Sequence, residues 1–180
     1  MLPKKLLLIV IVLCSVSSSA QHIIIDGKET SRLLTWDDFK GRPDNGVEYH
    51  AFTYWNITYK FDAFKFSGDT VKWQVQITVD LGNNSWKKKD KITDTLLKHE
   101  QGHFDVGIIC AMELQEKINA TVFFKNDYQS KLSAIIREVV DKYKKMDLLY
   151  DEETKHHANR EQQWKWDAFF ESKLKRGKQH

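Results

Sequence analysis

One stretch decides both the fold and the chemistry of this chain: residues 93–119 read TDTLLKHEQGHFDVGIICAMELQEKIN. Apolar residues recur there at helical spacing, as at Leu96, Phe104, Ile108 and Leu114. This periodicity predicts an amphipathic α-helix over the whole stretch. Inside it, residues 99–103 read HEQGH, which has the form H-E-x-x-H.

The H-E-x-x-H pattern predicts a metal site. His99 and His103 differ by about 40° around the helix and by one turn along it, so both imidazoles can bind one ion. Glu100 lies beside them, where its carboxylate can accept a proton from a water molecule. A zinc ion, an activated water and a base are the parts of a hydrolytic zinc site.

A catalytic zinc site needs a third protein ligand, which the same helix does not supply. The longer pattern H-E-x-x-H-x-x-G-x-x-H fails, because Val106 stands at the glycine position and Ile109 at the third histidine. The polar stretch 147–157 contains YDEETKHH, residues 150–157. We expect the third ligand in these eight residues, either a histidine or Glu153.

Outward from the helix, the N-terminal half has the pattern of strands. Residues 71–79 alternate strictly between apolar and polar, residues 47–66 are rich in aromatic and β-branched side chains, and residues 22–26 suit a short first strand. Two further helices are predicted over residues 128–146 and 158–174. An antiparallel sheet followed by three helices is an α+β fold, and the length suits a single domain over residues 21–180.

Residues 1–20 have the features of a secretory signal peptide: Lys4 and Lys5, the aliphatic run 6–13, and Ser18-Ser19-Ala20 before Gln21. The pattern predicts export to the periplasm or the medium. The aliphatic run is shorter than the roughly 20 residues of a membrane span, so we expect no stable span after its removal. Without the signal, the formal charge falls from +3 to +1, with 26 basic and 25 acidic residues, which disfavours a nucleic-acid partner and a polybasic membrane contact.

The chain resembles bacterial proteins described as predicted secreted zinc-dependent proteases, a domain of unknown function family with the number 922. The matching segments are LTWDDF (34–39), NSW (84–86), LLKHEQGHFD (96–105), and Tyr150-Asp151 with Thr154, His156 and Gln163. The resemblance implies zinc at His99 and His103 and makes His156 the expected third ligand. His157 stands where the family usually has glycine, which keeps His157 as the alternative.

We therefore predict an exported zinc-dependent hydrolase, a small peptidase with a zincin-like active-site helix and a peptide or protein substrate. Glu100 is the expected general base, and Tyr150 is a candidate to donate a hydrogen bond to an oxyanion. The alternative is a non-catalytic envelope module, stabilised by zinc or metal-free, that binds a partner and retains the motif for structure.

Overall fold

The computed structural model describes residues 22–174, and the predicted signal peptide over residues 1–20 lies outside them. The elements are β1 (His22–Ile25), β2 (Lys28–Glu29), β3 (Ala51–Phe52), β4 (Trp55–Ser67), β5 (Thr70–Leu81), β6 (Trp86–Lys87), α1 (Asp94–Ala120), α2 (Tyr128–Thr154) and α3 (Arg160–Leu174). Strands precede three helices, which confirms the predicted α+β class. Among the described residues, no helix has the length and apolar character needed to cross a membrane.

The main sheet has four strands in the order β2-β1-β5-β4. The long β4–β5 hairpin is antiparallel, as the alternation of residues 71–79 predicts. The pairing of β1 with β5 is parallel, with His22 opposite Thr78, so the sheet is mixed and not antiparallel throughout. A parallel pair needs a long connection, and here the whole segment from β2 to β4 separates the two strands. The short strands β3 and β6 form a separate antiparallel ribbon.

Helix α1 is the centre of the fold. Every residue from 102 to 111 is buried, because the helix contacts β5 in the sheet and both α2 and α3. Two glycines permit close approach: a Cβ at Gly107 would lie 2.8 Å from the Trp55 ring, and one at Gly102 would overlap the Tyr150 hydroxyl. A helix surrounded in this way holds its side chains in fixed positions.

Helix α2 is longer than the sequence pattern predicts. It continues to Thr154, whereas the apolar periodicity indicates an end at Met146. The extra turns are helical because Tyr150 and Thr154, four residues apart, are both fully buried. The stretch 147–154 is therefore part of a helix and not a polar connection, which places Asp147 and Asp151 one turn apart.

Candidate metal centre

The site lies where the N-terminal part of α1 meets the C-terminal part of α2. The Thr93 side chain caps α1 by accepting a hydrogen bond from the Leu96 N–H at 3.1 Å, so the helix begins shortly before the HEQGH sequence. His99 and His103 are both buried, on the side of α1 that faces α2. Asp147 and Asp151 extend toward them from α2.

Three ligand atoms converge at the centre of this site. His99 Nε2 and His103 Nε2 are 3.2 Å apart, and they lie 3.1 and 3.2 Å from Asp151 Oδ1. Zinc bonds of about 2.0–2.1 Å place tetrahedral ligand atoms roughly 3.3 Å apart. The three separations therefore fit one zinc ion bound by two imidazoles and a carboxylate.

The outer nitrogens of both imidazoles are held by acceptors. His103 Nδ1 lies 2.8 Å from Asp147 Oδ1, and His99 Nδ1 lies 3.1 Å from Gln163 Oε1. The orientation of the Gln163 amide is fixed, because its Nε2 donates to Tyr150 and to Asp167. In the neutral imidazoles both Nδ1 atoms therefore carry the proton, which leaves the Nε2 lone pairs facing the Asp151 oxygen. Three acceptors in mutual contact require a cation or a proton between them.

The pKa values agree with a centre that attracts positive charge. Burial alone would lower the pKa of His103, but its hydrogen bonds to Asp147 and Asp151 hold that pKa well above its usual range. Burial alone would raise the pKa of Asp151, but His103 and His99 hold it well below its usual range. A metal ion at this centre would compete with a proton, so metal binding should release one.

His156 lies at the edge of the same centre. Its Nδ1 is 3.0 Å from Asp151 Oδ1, and the ligand atoms of His99, Asp151 and His156 all lie within 4.8 Å of one another. The side chain is 57% exposed and its ring stacks on Tyr49, with centroids 6.0 Å apart. Asp151 thus lies between the two histidines of α1 on one side and His156 on the other. His156 is the third ligand that the family resemblance implies.

The other two sequence-based candidates for the third ligand occupy different places. Glu153 Oε2 accepts a hydrogen bond from Trp166 Nε1 at 2.7 Å, which directs it toward α3. The His157 ring lies 6.0 Å from the His99 ring, and burial lowers the His157 pKa. His157 has a φ of 73°, a left-handed conformation that glycine adopts without strain. This conformation gives a physical reason for the glycine that the family usually has there.

Glu100 is buried beside the histidines and lines a cavity in front of them. Its Oε2 accepts a hydrogen bond from the Thr53 hydroxyl at 2.6 Å. Burial raises the pKa of Glu100, against the opposing effects of His103, His99 and Thr53. The carboxylate is therefore oriented from the β3–β4 connection, and its second oxygen has no hydrogen bond in the part of the chain that the structure describes.

The cavity has a volume of about 640 Å³. Its floor contains His99, Glu100, His103 and Asp151, and one wall is the segment 48–53, which includes β3. Leu148 of α2 forms part of the opposite side. A cavity of this size, with apolar walls and a few convergent polar groups, is typical of a site for a small molecule or a segment of a peptide.

Tyr150 does not line this cavity. Its ring stacks on His99, with centroids 4.7 Å apart and an angle of 20°, and the residue is fully buried. The hydroxyl donates to the His99 carbonyl at 3.0 Å and accepts from Gln163 Nε2 at 2.7 Å. The structure therefore places this hydroxyl behind His99, within the packing of α1, α2 and α3.

Sequence reasoning gave no role in the site to Thr53, Asp147 or Gln163, and it did not single out Asp151 within the stretch 150–157 where it expected the third ligand. Asp147 and Asp151 have the i, i+4 spacing that aligns side chains on one face of a helix. That spacing carries information only once residues 147–154 are known to be helical. Thr53 and Gln163 come from distant parts of the chain, and no local pattern connects either of them to α1.

Fold and site together define the class: an α+β protein in which an H-E-x-x-H helix and the following helix bring imidazole and carboxylate ligands together. The chain belongs to the family described as "Bacterial protein of unknown function (DUF922)", whose model matches residues 21–158. This confirms the family named by the resemblance, although that description assigns no activity. No curated protein and no solved structure matches the chain in the corresponding searches.

Proposed function

We propose that the protein is a zinc-dependent hydrolase whose metal is held by His99, His103 and Asp151. The convergence of two imidazole Nε2 atoms and one carboxylate oxygen at 3.1–3.2 Å is the observation that carries the proposal. His156 Nδ1, at 3.0 Å from the same oxygen, is retained as a further ligand at the open side of the site. This assignment adds Asp151 to the ligands expected from the sequence.

Glu100 is the proposed general base. A zinc ion bound at the centre would supply a Lewis acid and lower the pKa of a water molecule. Glu100 would accept the proton of the attacking water and deliver it to the leaving group. The Thr53 hydroxyl holds one carboxylate oxygen, so the other oxygen has a fixed direction when the proton is transferred.

The choice of a peptide bond as the substrate rests on the resemblance to predicted secreted zinc-dependent proteases and on the predicted export signal. The cavity supports it in one respect, since about 640 Å³ accommodates a few residues of an extended chain. We assign Tyr150 a positioning role instead of the oxyanion contact considered from the sequence. Its hydroxyl holds the His99 backbone, and its ring holds the His99 imidazole.

The proposal is tested by Glu100→Gln, with Glu116→Gln on the exposed face of α1 as the matched control. We expect Glu100→Gln to retain one zinc ion per chain and the wild-type melting temperature, and to lose about 1,000-fold in kcat on a mixed peptide library. The Glu116→Gln variant should behave like the wild type. Metal analysis measures the zinc content per chain, and mass spectrometry of the peptide library measures the rate of cleavage.

Three results would contradict parts of the proposal. Purified protein without stoichiometric zinc, and with a melting temperature that a chelator leaves unchanged, would exclude a zinc centre. Wild-type protein that contains zinc but cleaves no peptide would favour the alternative, a zinc-stabilised binding module. Full activity of Glu100→Gln would exclude Glu100 as the base.

A further inference from the structure

A continuous aromatic surface lies on the β4–β5 hairpin, away from the metal centre. Its members are large, and each is between 37% and 48% exposed: Tyr59, Phe61, Phe64, Phe66 and Phe124. Val122, at 58% exposed, adjoins Phe124 in the chain after α1. Exposed apolar patches of this kind mark interaction sites.

A β-bulge makes this surface continuous. Successive side chains of a strand alternate between faces, so Tyr59 and Phe61 would otherwise lie opposite Phe64 and Phe66. The register of β4 against β5 shifts between Asp62 and Lys65, and Ala63 within the shift has a φ of 52°. The extra residue returns the two later phenylalanines to the first face.

Ring contacts confirm that the four aromatic side chains of β4 share one face. Phe61 and Phe64 both contact Trp73, with centroids 4.9 and 5.8 Å away. Tyr59 contacts Phe61 at 5.4 Å, and Phe64 contacts Phe66 at 5.3 Å. A left-handed alanine costs roughly 1–2 kcal/mol. The strained residue Ala63 therefore lies at the bulge that places the aromatic side chains of β4 on one face.

The aromatic surface is remote from the proposed active site. The backbone N–H of Val71, near the hairpin turn, donates to the carbonyl of Phe123, which follows the C-terminal end of α1. From His103 to Ala120 the helix extends about 26 Å at 1.5 Å per residue. A partner bound at the aromatic surface would therefore leave the cavity open.

Geometry disfavours two other occupants. The rings of Tyr59 and Phe61 meet at 68°, and those of Phe64 and Phe66 at 79°, so they form no flat platform for a sugar ring. The edge of β4 could pair with a second copy of the chain. Lys60, Lys65 and the bulge are features that prevent such edge pairing in natural sheets.

Two lysines adjoin the aromatic side chains. Lys125 Nζ lies 5.3 Å from the centroid of the Phe66 ring, and Lys131 Nζ lies 6.0 Å from that of Phe124. The segment 122–131 contains these two lysines and one aspartate, whereas Lys60, Lys65 and Lys72 alternate onto the opposite face of the hairpin. Aromatic side chains with adjacent lysines are typical of proteins that bind at the headgroup level of a bilayer.

We propose that the aromatic surface docks the protein on an anionic lipid surface, with the phenylalanines inserted among the headgroups and the lysines next to lipid phosphates. The docking is peripheral and independent of the hydrolase proposal. It would hold the metal centre at a fixed distance from the bilayer, on the opposite end of α1.

The test is co-sedimentation of the chain from residue 21 onward with vesicles of phosphatidylcholine, with and without phosphatidylglycerol. We expect binding to the anionic vesicles and little to pure phosphatidylcholine. Phe64→Ser with Phe66→Ser should weaken the binding at least 100-fold, because two large apolar side chains lose their insertion. Lys125→Glu with Lys131→Glu should weaken it about 25-fold or more, since each lysine near an anionic surface contributes about a factor of five.

Matched controls are Trp164→Ser, at a residue 63% exposed on α3, and Lys144→Glu with Lys145→Glu on the exposed side of α2. These controls should bind vesicles like the wild type, and all variants should retain its circular dichroism spectrum. Wild-type protein that binds no vesicles overturns the proposal. Equally, a wild-type dimer that Phe64→Ser with Phe66→Ser converts to a monomer would show that a second copy covers this surface.

Discussion

The two halves of α1 differ in what they bury. The N-terminal half, Asp94–Asp105, buries ionisable side chains, namely His99, Glu100, His103 and Asp105. The C-terminal half, from Val106 onward, buries apolar side chains such as Ile108 and Leu114 and keeps its charged groups at the surface. A buried polar group lowers stability unless it is hydrogen-bonded, whereas buried apolar area raises it. The candidate site and the larger part of the apolar packing therefore lie on different halves of one helix.

This division has an energetic consequence for the metal. Hydrogen bonds from Asp147, Gln163 and Tyr150 hold the N-terminal half in place although it buries several ionisable groups. A zinc ion bound there would pair with the buried carboxylate and imidazoles, and by binding the folded chain in preference to the unfolded one it would stabilise the fold by mass action. Substitutions in the N-terminal half should change metal affinity, and those in the C-terminal half should change stability alone.

The largest expected effect is on Asp151→Ala. Structural zinc sites bind with about 10–16 kcal/mol shared by four ligands, so loss of one ligand costs about 2.5–4 kcal/mol, or roughly 100- to 1,000-fold in affinity. We expect this loss for Asp151→Ala and a smaller one for His156→Ala, whose side chain is more exposed. Competition with a fluorescent zinc chelator measures both affinities.

Glu152→Ala is the control for that comparison, since Glu152 is exposed and adjacent in the chain. Its zinc affinity should equal that of the wild type. A greater loss for His156→Ala than for Asp151→Ala would reverse the assignment. It would make His156 the third ligand, as the sequence resemblance implies, and Asp151 a group that positions it.

Next in size is Leu114→Ala in the C-terminal half. Leu114 is fully buried, and truncation of such a leucine leaves a cavity that costs about 3 kcal/mol of the free energy of unfolding. Urea denaturation of the zinc-free protein measures this cost. Zinc affinity of the folded variant should stay within about twofold of the wild type. A parallel fall in zinc affinity would show that the two halves are coupled and would remove the distinction between them.

The same contrast explains how much the sequence predicts. Residues in the C-terminal half of α1 and in β5 are recognised from their periodicity, because burial of one face is a local property of the chain. The HEQGH sequence is recognised because its spacing on a helix is also local. The stretch 150–157 was expected to supply a ligand, but Asp151 was not singled out because its direction depends on α2 continuing through this polar stretch, which the burial of Tyr150 and Thr154 decides. The parallel pairing of β1 depends on contacts across about 55 residues, which no local pattern encodes.

A smaller effect is expected for Asp147→Ala, which removes the acceptor of the His103 Nδ1 proton. Loss of such an outer partner lowers metal affinity by about 10–100-fold, because the imidazole loses its orientation and part of its basicity. Asp141→Ala removes a charge from the exposed side of the same helix and should leave the affinity unchanged. Equal zinc affinity for Asp147→Ala and the wild type would mean that packing alone orients His103.

The smallest effect is predicted for Glu113→Gln, at the surface of the C-terminal half. Glu113 Oε2 accepts from Lys142 Nζ at 2.5 Å and from the Tyr143 hydroxyl at 2.8 Å. Burial alone would raise the pKa of Glu113, but these two hydrogen bonds outweigh it and hold the pKa below its usual value. We expect the substitution to cost about 1 kcal/mol of the free energy of unfolding at pH 7, because the ion pair is partly exposed.

The sign of the pH dependence follows from the lowered pKa. The ionised carboxylate stabilises the fold above the unfolded pKa of about 4.3, and this contribution is lost as the pH falls through the lower pKa of the folded state. The difference between Glu113→Gln and the wild type should therefore shrink as the pH falls below the unfolded pKa and vanish once the folded carboxyl is protonated. The control is Glu138→Gln. Glu138 is exposed and, among the described residues, pairs only with Lys117, so its substitution should leave the free energy of unfolding almost unchanged at neutral or low pH. A difference that persists at low pH would mean that Glu113 acts through packing and not through its charge. The contribution of Glu113 to the stability of the C-terminal half would then be independent of its ionisation, in contrast to the charged groups of the candidate metal centre in the N-terminal half.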